Sequence, residues 1–162
     1  MLFVRLLTLS LITLLLWGCA SSSKKYISRC SLRNPAIQAT IQSRLDRLRA
    51  NRRLKPMAFD ASLRRAAQKQ SNYLALTGSL SHADGSGGGP LNRLRKLGIS
   101  RRVVGENIAR VEHDSNPAIP ILAFWADRPR EAANLVNPEF FRMGLGVTSS
   151  ERHCYAVLLL SD

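Results

Sequence analysis

Apolar residues recur at helical spacing in several stretches of the chain and crowd into short continuous runs elsewhere. Ile37, Ile41, Leu45 and Leu48 fall on one face at a 3.6-residue period, which predicts a helix over residues 35–52. Pro35 suits its first turn. A second helix is predicted behind Asp60, whose carboxylate can accept from first-turn amides, and it runs to about Leu76 before stopping at Gly78. Leu91, Leu94 and Leu97 mark a short helix after Pro90 that ends at Gly98. Ile119, Ile121, Leu122 and Trp125 mark another that begins near Asn116 and Pro117, with Pro120 tolerated in its first turn.

Strands are predicted over residues 103–111, 143–148 and 154–160. Cys154, Tyr155, Ala156, Val157, Leu158, Leu159 and Leu160 are apolar without alternation, so both faces of that strand must be covered. Helices then lie on both sides of the sheet, a three-layer α-β-α arrangement. Ser149-Ser150-Glu151-Arg152 is the expected hairpin turn. The one compositional break is Asp84-Gly85-Ser86-Gly87-Gly88-Gly89-Pro90, expected as a flexible connection. A glycine-rich loop can cradle phosphate, but this one lacks the GK[ST] ending and follows no apolar strand.

The length suits one domain with one core. The charge changes the picture more. There are 24 Lys and Arg against 11 Asp and Glu, a net charge of +13. Such a balance concerns solubility and anionic partners more than fold. Arg44, Arg47, Arg49, Arg52, Arg53, Arg64, Arg65 and Lys69 are expected to form one basic face on the first two helices, facing anionic lipid or an acidic envelope polymer. Aromatic content is 6%, too little for the stacking that single-stranded nucleic acid needs, so nucleic acid is not an expected partner.

Residues 1–18 read as a targeting segment, with Arg5 followed by an apolar run from Leu6 to Leu16 that is too short to span a membrane. Leu16-Trp17-Gly18-Cys19 resembles the bacterial lipobox, which makes Cys19 a lipidated N-terminus and residues 19–33 a tether. An ordinary secretory cleavage nearby is the alternative, and both export the protein. Acyl chains anchor without a spanning helix. Ala20 in place of Asp favours an outer-membrane lipoprotein facing the periplasm. With Cys19 acylated, Cys30 and Cys154 remain, either as a disulfide permitted by an oxidising compartment or as two free thiols.

The order of motifs carries a further signal. His82 is followed by Gly105-Glu106-Asn107, then Phe124-Trp125, Pro129, Asn134-Leu135, Asn137-Pro138 and Met143-Gly144-Leu145-Gly146-Val147. This series resembles the CAP superfamily of cysteine-rich secretory proteins, antigen 5 and class-one pathogenesis-related proteins, and most closely its bacterial branch. The resemblance covers residues 35–162 and implies an α+β fold, a three-layer α-β-α sandwich with a small antiparallel sheet, as the domain over residues 34–162. It also implies a central cavity lined by two histidines and two acidic residues, which holds a divalent metal in some members. His82 matches the first histidine, and Glu106 with Asn107 matches the Gly-Glu-Asn motif. The bacterial branch then usually reads Trp-x-x-Ser-Pro-x-His-x-x-Asn-Leu. Here Arg128 stands at the serine and Glu131 at the second histidine.

The departure at Glu131 bears on chemistry. Zinc prefers nitrogen and sulfur ligands, and His82 with Glu106 and Glu131 would offer one nitrogen and carboxylate oxygens. No cofactor is expected, and at most a weakly held, harder divalent cation. Arg128 lies three residues before Glu131 and could neutralise it if the segment is helical. His82 could equally be structural, bonded to Glu106 so as to hold its loop to the strand. His113 and His153 are expected to be exposed near loop ends. Ser79 and Ser81 flank His82, but no third group completes a nucleophilic triad. The reading is an envelope-anchored, non-enzymatic binding module for a lipid-like, glycan or protein ligand. The alternatives are a metal-assisted hydrolase using His82, Glu106 and Glu131, and a structural envelope adaptor.

Overall fold

A computed structural model describes Cys30, residues 34–114 and residues 116–162; the targeting segment, Cys19 and the rest of the expected tether lie outside the described residues. The sheet is built around the apolar C-terminal run. Its strands are β1 (Ala58–Phe59), β2 (Val104–Glu112), β3 (Arg142–Ser149) and β4 (His153–Ser161), in the order β1-β3-β4-β2. The three long strands pair antiparallel, and the two-residue β1 joins β3 in parallel. Among the described residues five helices surround it: α1 (Asn34–Ala50), α2 (Ala61–Thr77), α3 (Pro90–Lys96), α4 (Ala118–Ala126) and α5 (Pro129–Leu135).

β4 explains the layering. Cys154, Ala156, Leu158 and Leu160 join one buried cluster with Ile37, Ile41, Leu45, Ile121, Trp125 and Leu135, from α1, α4 and α5. Tyr155, Val157 and Leu159 join a second cluster with Leu63, Ala66, Ala67, Leu74 and Leu94, from α2 and α3. Successive strand residues point to opposite faces, so an unbroken apolar run is what a doubly covered strand requires.

α2 starts where Asp60 accepts from Ser62 N at 2.7 Å and Leu63 N at 3.0 Å, and stops at Gly78 in a left-handed conformation with φ 68°. Burial opposes charge on Asp60, but those amides and Arg101 outweigh it and hold the carboxyl below its ordinary range. The Gly-x-Gly of β3 has a steric cause. A Cβ on Gly144 would lie 2.2 Å from Arg64 N, and one on Gly146 would lie 2.4 Å from Ala67 C and Gln68 N. The α2 backbone therefore rests directly on β3. At the far end of β4, Cys154 is disulfide-bonded to Cys30, with Cα atoms 6.0 Å apart, within the ordinary span of such a bridge.

Several expectations need correction. Arg49 is 1% exposed, not part of a basic face. Its guanidinium donates to four carbonyls, those of Lys55, Leu135, Asn137 and Phe140, and so fixes the end of α1 to the segment between α5 and β3. Nor do the other cations share one face. α1 and α2 cover opposite sides of the sheet, so Arg44, Arg47, Arg52 and Arg53 are separated from Arg64, Arg65 and Lys69 by the full sandwich. The Trp125 helix, whose end the periodicity leaves open, stops at Ala126, and α5 begins separately at Pro129, whose ring cannot continue the preceding turn. His153 is the first residue of β4 and half-buried, because its ring meets Tyr155 edge-on. His113 is exposed, as expected.

Candidate functional site

The site forms where the segment after α2 crosses the edge strand β2. Glu106 pairs with Leu159 in register, so its side chain points to the α2/α3 side, and it is 1% exposed. His82 comes from the loop above it, with Nδ1 2.9 Å from Glu106 Oε1. Arg93 comes from α3 and is 6% exposed. Its Nη2 donates to Glu106 Oε2, and its Nη1 donates to His82 O at 2.6 Å and Gly88 O at 3.3 Å. The buried carboxylate is thus held on one oxygen by a histidine and on the other by an arginine.

The loop is fixed from a second direction. Gln70 on α2 donates from Nε2 to Ser81 O at 3.0 Å and Ala83 O at 3.2 Å. The glycine-rich stretch is not a loose connection either. Asp84 Oδ1 accepts from Ser86 N at 2.9 Å, Ser86 Oγ at 2.7 Å and Gly88 N at 2.9 Å. The Ser86 hydroxyl and the Gly88 amide lower the Asp84 carboxyl to about 2. Amides that could have cradled a phosphate are taken by the loop's own carboxylate.

The remaining expected site residues divide. Asn107 pairs with Leu158 and so faces the opposite side of the sheet from Glu106, as neighbours on a strand must. It donates from Nδ2 to Glu131 O at 2.9 Å and accepts from Asn134 Nδ2 at 2.8 Å, which docks α5 on β2. Its role is to hold a helix, not to line the His82 side. Arg128 does not neutralise Glu131. It precedes α5 with extended backbone, φ −114° and ψ 123°, so helical i,i+3 spacing does not apply. It donates instead to Phe124 O at 2.8 Å, with its guanidinium 3.4 Å over the Phe124 ring. Glu131 is half-buried and acts on His82 at a distance. The Glu106 hydrogen bond raises the His82 pKa first, burial opposes it, and the charges of Glu106 and Glu131 raise it further against Arg93.

This geometry tests the metal expectation. Both Glu106 oxygens are committed, and one of them meets a guanidinium that repels cations. The His82, Glu106 and Glu131 set therefore does not fit a divalent ion. Among the described residues, one other group of ligand types converges: Cys30, Cys154 and His113, with ligand atoms within 4.8 Å of one another. There the sulfurs are bonded to each other, and His113 Nε2 shares a hydrogen bond with Ser149 Oγ at 2.8 Å.

Arg93 and Gln70 are the residues that sequence reasoning missed. Arg93 stands one position from Leu94 on a helix rich in basic residues, and its burial arises from the Glu106 carboxylate opposite. Gln70 is a polar residue inside an amphipathic helix, where an outward position is the ordinary reading.

Comparisons with known proteins place this arrangement. The model of the cysteine-rich secretory protein family, CAP, matches residues 42–160. The uncharacterized Bacillus subtilis protein YkwD is 27% identical over 97 residues, 60% of this chain. The chain spans 37% of that relative's length. An outer surface protein of Borrelia burgdorferi superposes with a TM-score of 0.70 at 18% identity, over 78% of this chain and 92% of its own. An extracellular SCP-domain protein of Bacillus anthracis gives 0.64 at 23% identity, over 80% of this chain and 41% of its own.

Proposed function

The chain belongs to the cysteine-rich secretory protein family, CAP, and from that premise we propose that it is an exported bacterial binding module without catalytic activity. The carrying observation is the state of Glu106. A hydrolytic site needs a free base, or a metal that holds water. Here the buried carboxylate is bonded on both oxygens and is no free base, and the Nδ1 bond that holds it leaves only Nε2 of His82, against which no metal-ligating group converges among the described residues. Among the described residues no hydroxyl is hydrogen-bonded to His82 as a nucleophile would be. The three groups act together as a clasp that ties loop, α3 and β2, and the fold becomes a rigid frame for ligand contact. The ligand is lipid-like, glycan or protein.

Export and anchoring belong to the same reading. Among the described residues no helix is long and apolar enough to cross a membrane, so attachment would rest on acylated Cys19, with the domain on the periplasmic side of the outer membrane. The names of two structural relatives, an outer surface protein and an extracellular protein, support export. Intact mass of the membrane fraction should give a chain starting at Cys19 with added acyl mass, and a soluble, unacylated chain would remove the anchor. Metal analysis of protein purified without added metal tests the rest. It should give far less than one ion per chain. A stoichiometric ion lost in His82→Ala would overturn the reading in favour of a metal-assisted hydrolase.

A further inference from the structure

Behind the clasp, α2 and α3 enclose a cleft of about 220 Å³. Its walls are Ala66, Lys69, Gln70, Asp84, Arg93, Lys96 and Leu97. Two of these side chains are buried and incomplete. Gln70 is 1% exposed, and with its Nε2 protons placed on Ser81 and Ala83 its Oε1 has no partner. Arg93 is 6% exposed, and with both terminal nitrogens placed its Nε has no partner. One wall residue therefore lacks a donor and the other lacks an acceptor. Buried polar groups in folded proteins are nearly always satisfied, so an orphan of each kind on two residues that line one cleft points to something that fills it.

The chemistry narrows the occupant. A carboxylate accepts but does not donate, and an ammonium donates but does not accept. A hydroxyl does both, accepting from Arg93 Nε and donating to Gln70 Oε1. Ala66, Leu97 and the lysine stems offer an apolar surface suited to the C–H face of a ring. The cleft lies below the roughly 300 Å³ at which drug-sized sites begin, so it takes one small ring. Its charge is set by Lys69 and Lys96 against the Asp84 carboxylate, since Arg93 is paired with Glu106. Lys96 is partly engaged by Asp84 at 3.8 Å and by Ser86, whereas Lys69 has no partner among the described residues.

We propose that the cleft between α2 and α3 binds an acidic sugar unit, a hydroxylated ring bearing one carboxylate or phosphate. A ring hydroxyl bridges Gln70 and Arg93, the ring lies against Leu97, and the anionic group meets Lys69. The proposal deepens the binding-module reading and rests on it.

Calorimetric titration of the full chain in detergent tests it, with sodium glucuronate, glucose 1-phosphate, glucose and inorganic phosphate as probes. At least one acidic sugar should saturate at one per chain, and which one does so separates the carboxylate source from the phosphate source. Glucose and inorganic phosphate should bind at least about tenfold more weakly, since each supplies half of the match. Lys69→Gln should weaken the acidic sugar about fivefold and leave glucose unchanged. Leu97→Trp, at a 38% exposed position that tolerates bulk, should fill the cleft and abolish binding. The Arg93 Nε–H resonance should move with the acidic sugar and stay fixed with phosphate. Phosphate binding as tightly as the sugars, Lys69→Gln without effect, or no saturation by any probe would overturn the proposal. An Arg93 Nε–H that contacts water alone in the presence of each probe would also overturn it, because the orphan atoms would then hold a buried water. Absence of sugar binding in protein that also lacks metal sinks the cleft and leaves the binding-module reading standing, whereas a stoichiometric metal sinks that reading itself.

Discussion

Arg93→Met removes the cation from a buried carboxylate and leaves its surroundings otherwise similar in volume. Glu106 is 1% exposed and keeps only His82, which is half-exposed and, unlike the arginine, carries a charge only when protonated. Breaking a buried pair by deleting one partner costs about 3–5 kcal/mol, because the remaining charge is stranded. At about 4 °C per kcal/mol for a domain of this size, thermal unfolding at pH 7 should fall by about 12–20 °C. Arg93→Met with Glu106→Leu should regain most of the loss, since replacing both charges by apolar groups is often neutral. Urea unfolding of the four proteins of the cycle should give a coupling of about 2–3 kcal/mol. A single-variant loss under about 1 kcal/mol, or a double variant as unstable as the sum of the singles, would refute the clasp as a structural charge pair.

Three further outcomes are expected. The His82 pKa is raised in the folded state, first by its Glu106 bond, so its contribution is fully present below pH 6.5 and lost as pH rises through the folded value; stability should decline there in the native chain and not in His82→Ala. Gly146→Ala should cost about 3 kcal/mol in urea unfolding, the upper end for overpacking, because its methyl would meet α2 backbone that cannot give way; a loss under about 1 kcal/mol would contradict the close approach. Reduction of Cys30–Cys154, which spans 124 residues of sequence, should cost at most about 5 kcal/mol on the chain-entropy argument; non-reducing peptide mapping should recover the linked pair, and unchanged stability after reduction would contradict the argument.

The sheet and its two helical covers were legible because burial on both faces writes itself into composition: seven apolar residues in a row leave no solvent side. The α2 caps were legible because Asp60 and Gly78 act through their own backbone neighbours. The His82–Glu106 contact followed from motif order, through the family resemblance. What escaped was decided by partners distant in sequence. Arg49 is buried because four carbonyls from two other segments surround it, and no periodicity marks a cation of that kind. Asn107 and Glu106 are adjacent in the motif, yet the pleat sends them to opposite faces, so reading them as one cavity set joined groups that the strand divides. β1 escaped because two residues carry no pattern.

The contact of α2 with Gly144 and Gly146 has a mechanical consequence. At these two glycines helix and strand meet backbone to backbone, with no β3 side chain between them to slide or re-rotamerise. The wall that carries Lys69 and Gln70 is therefore an anvil, immobile relative to the sheet. The opposing wall, with Asp84, Arg93, Lys96 and Leu97, is a jaw. It is fastened by three separable latches: Gln70 to the loop carbonyls, Arg93 to Glu106, and His82 to Glu106. Any widening of the cleft is a motion of the jaw alone, and the His82 latch is the one that loosens as pH rises.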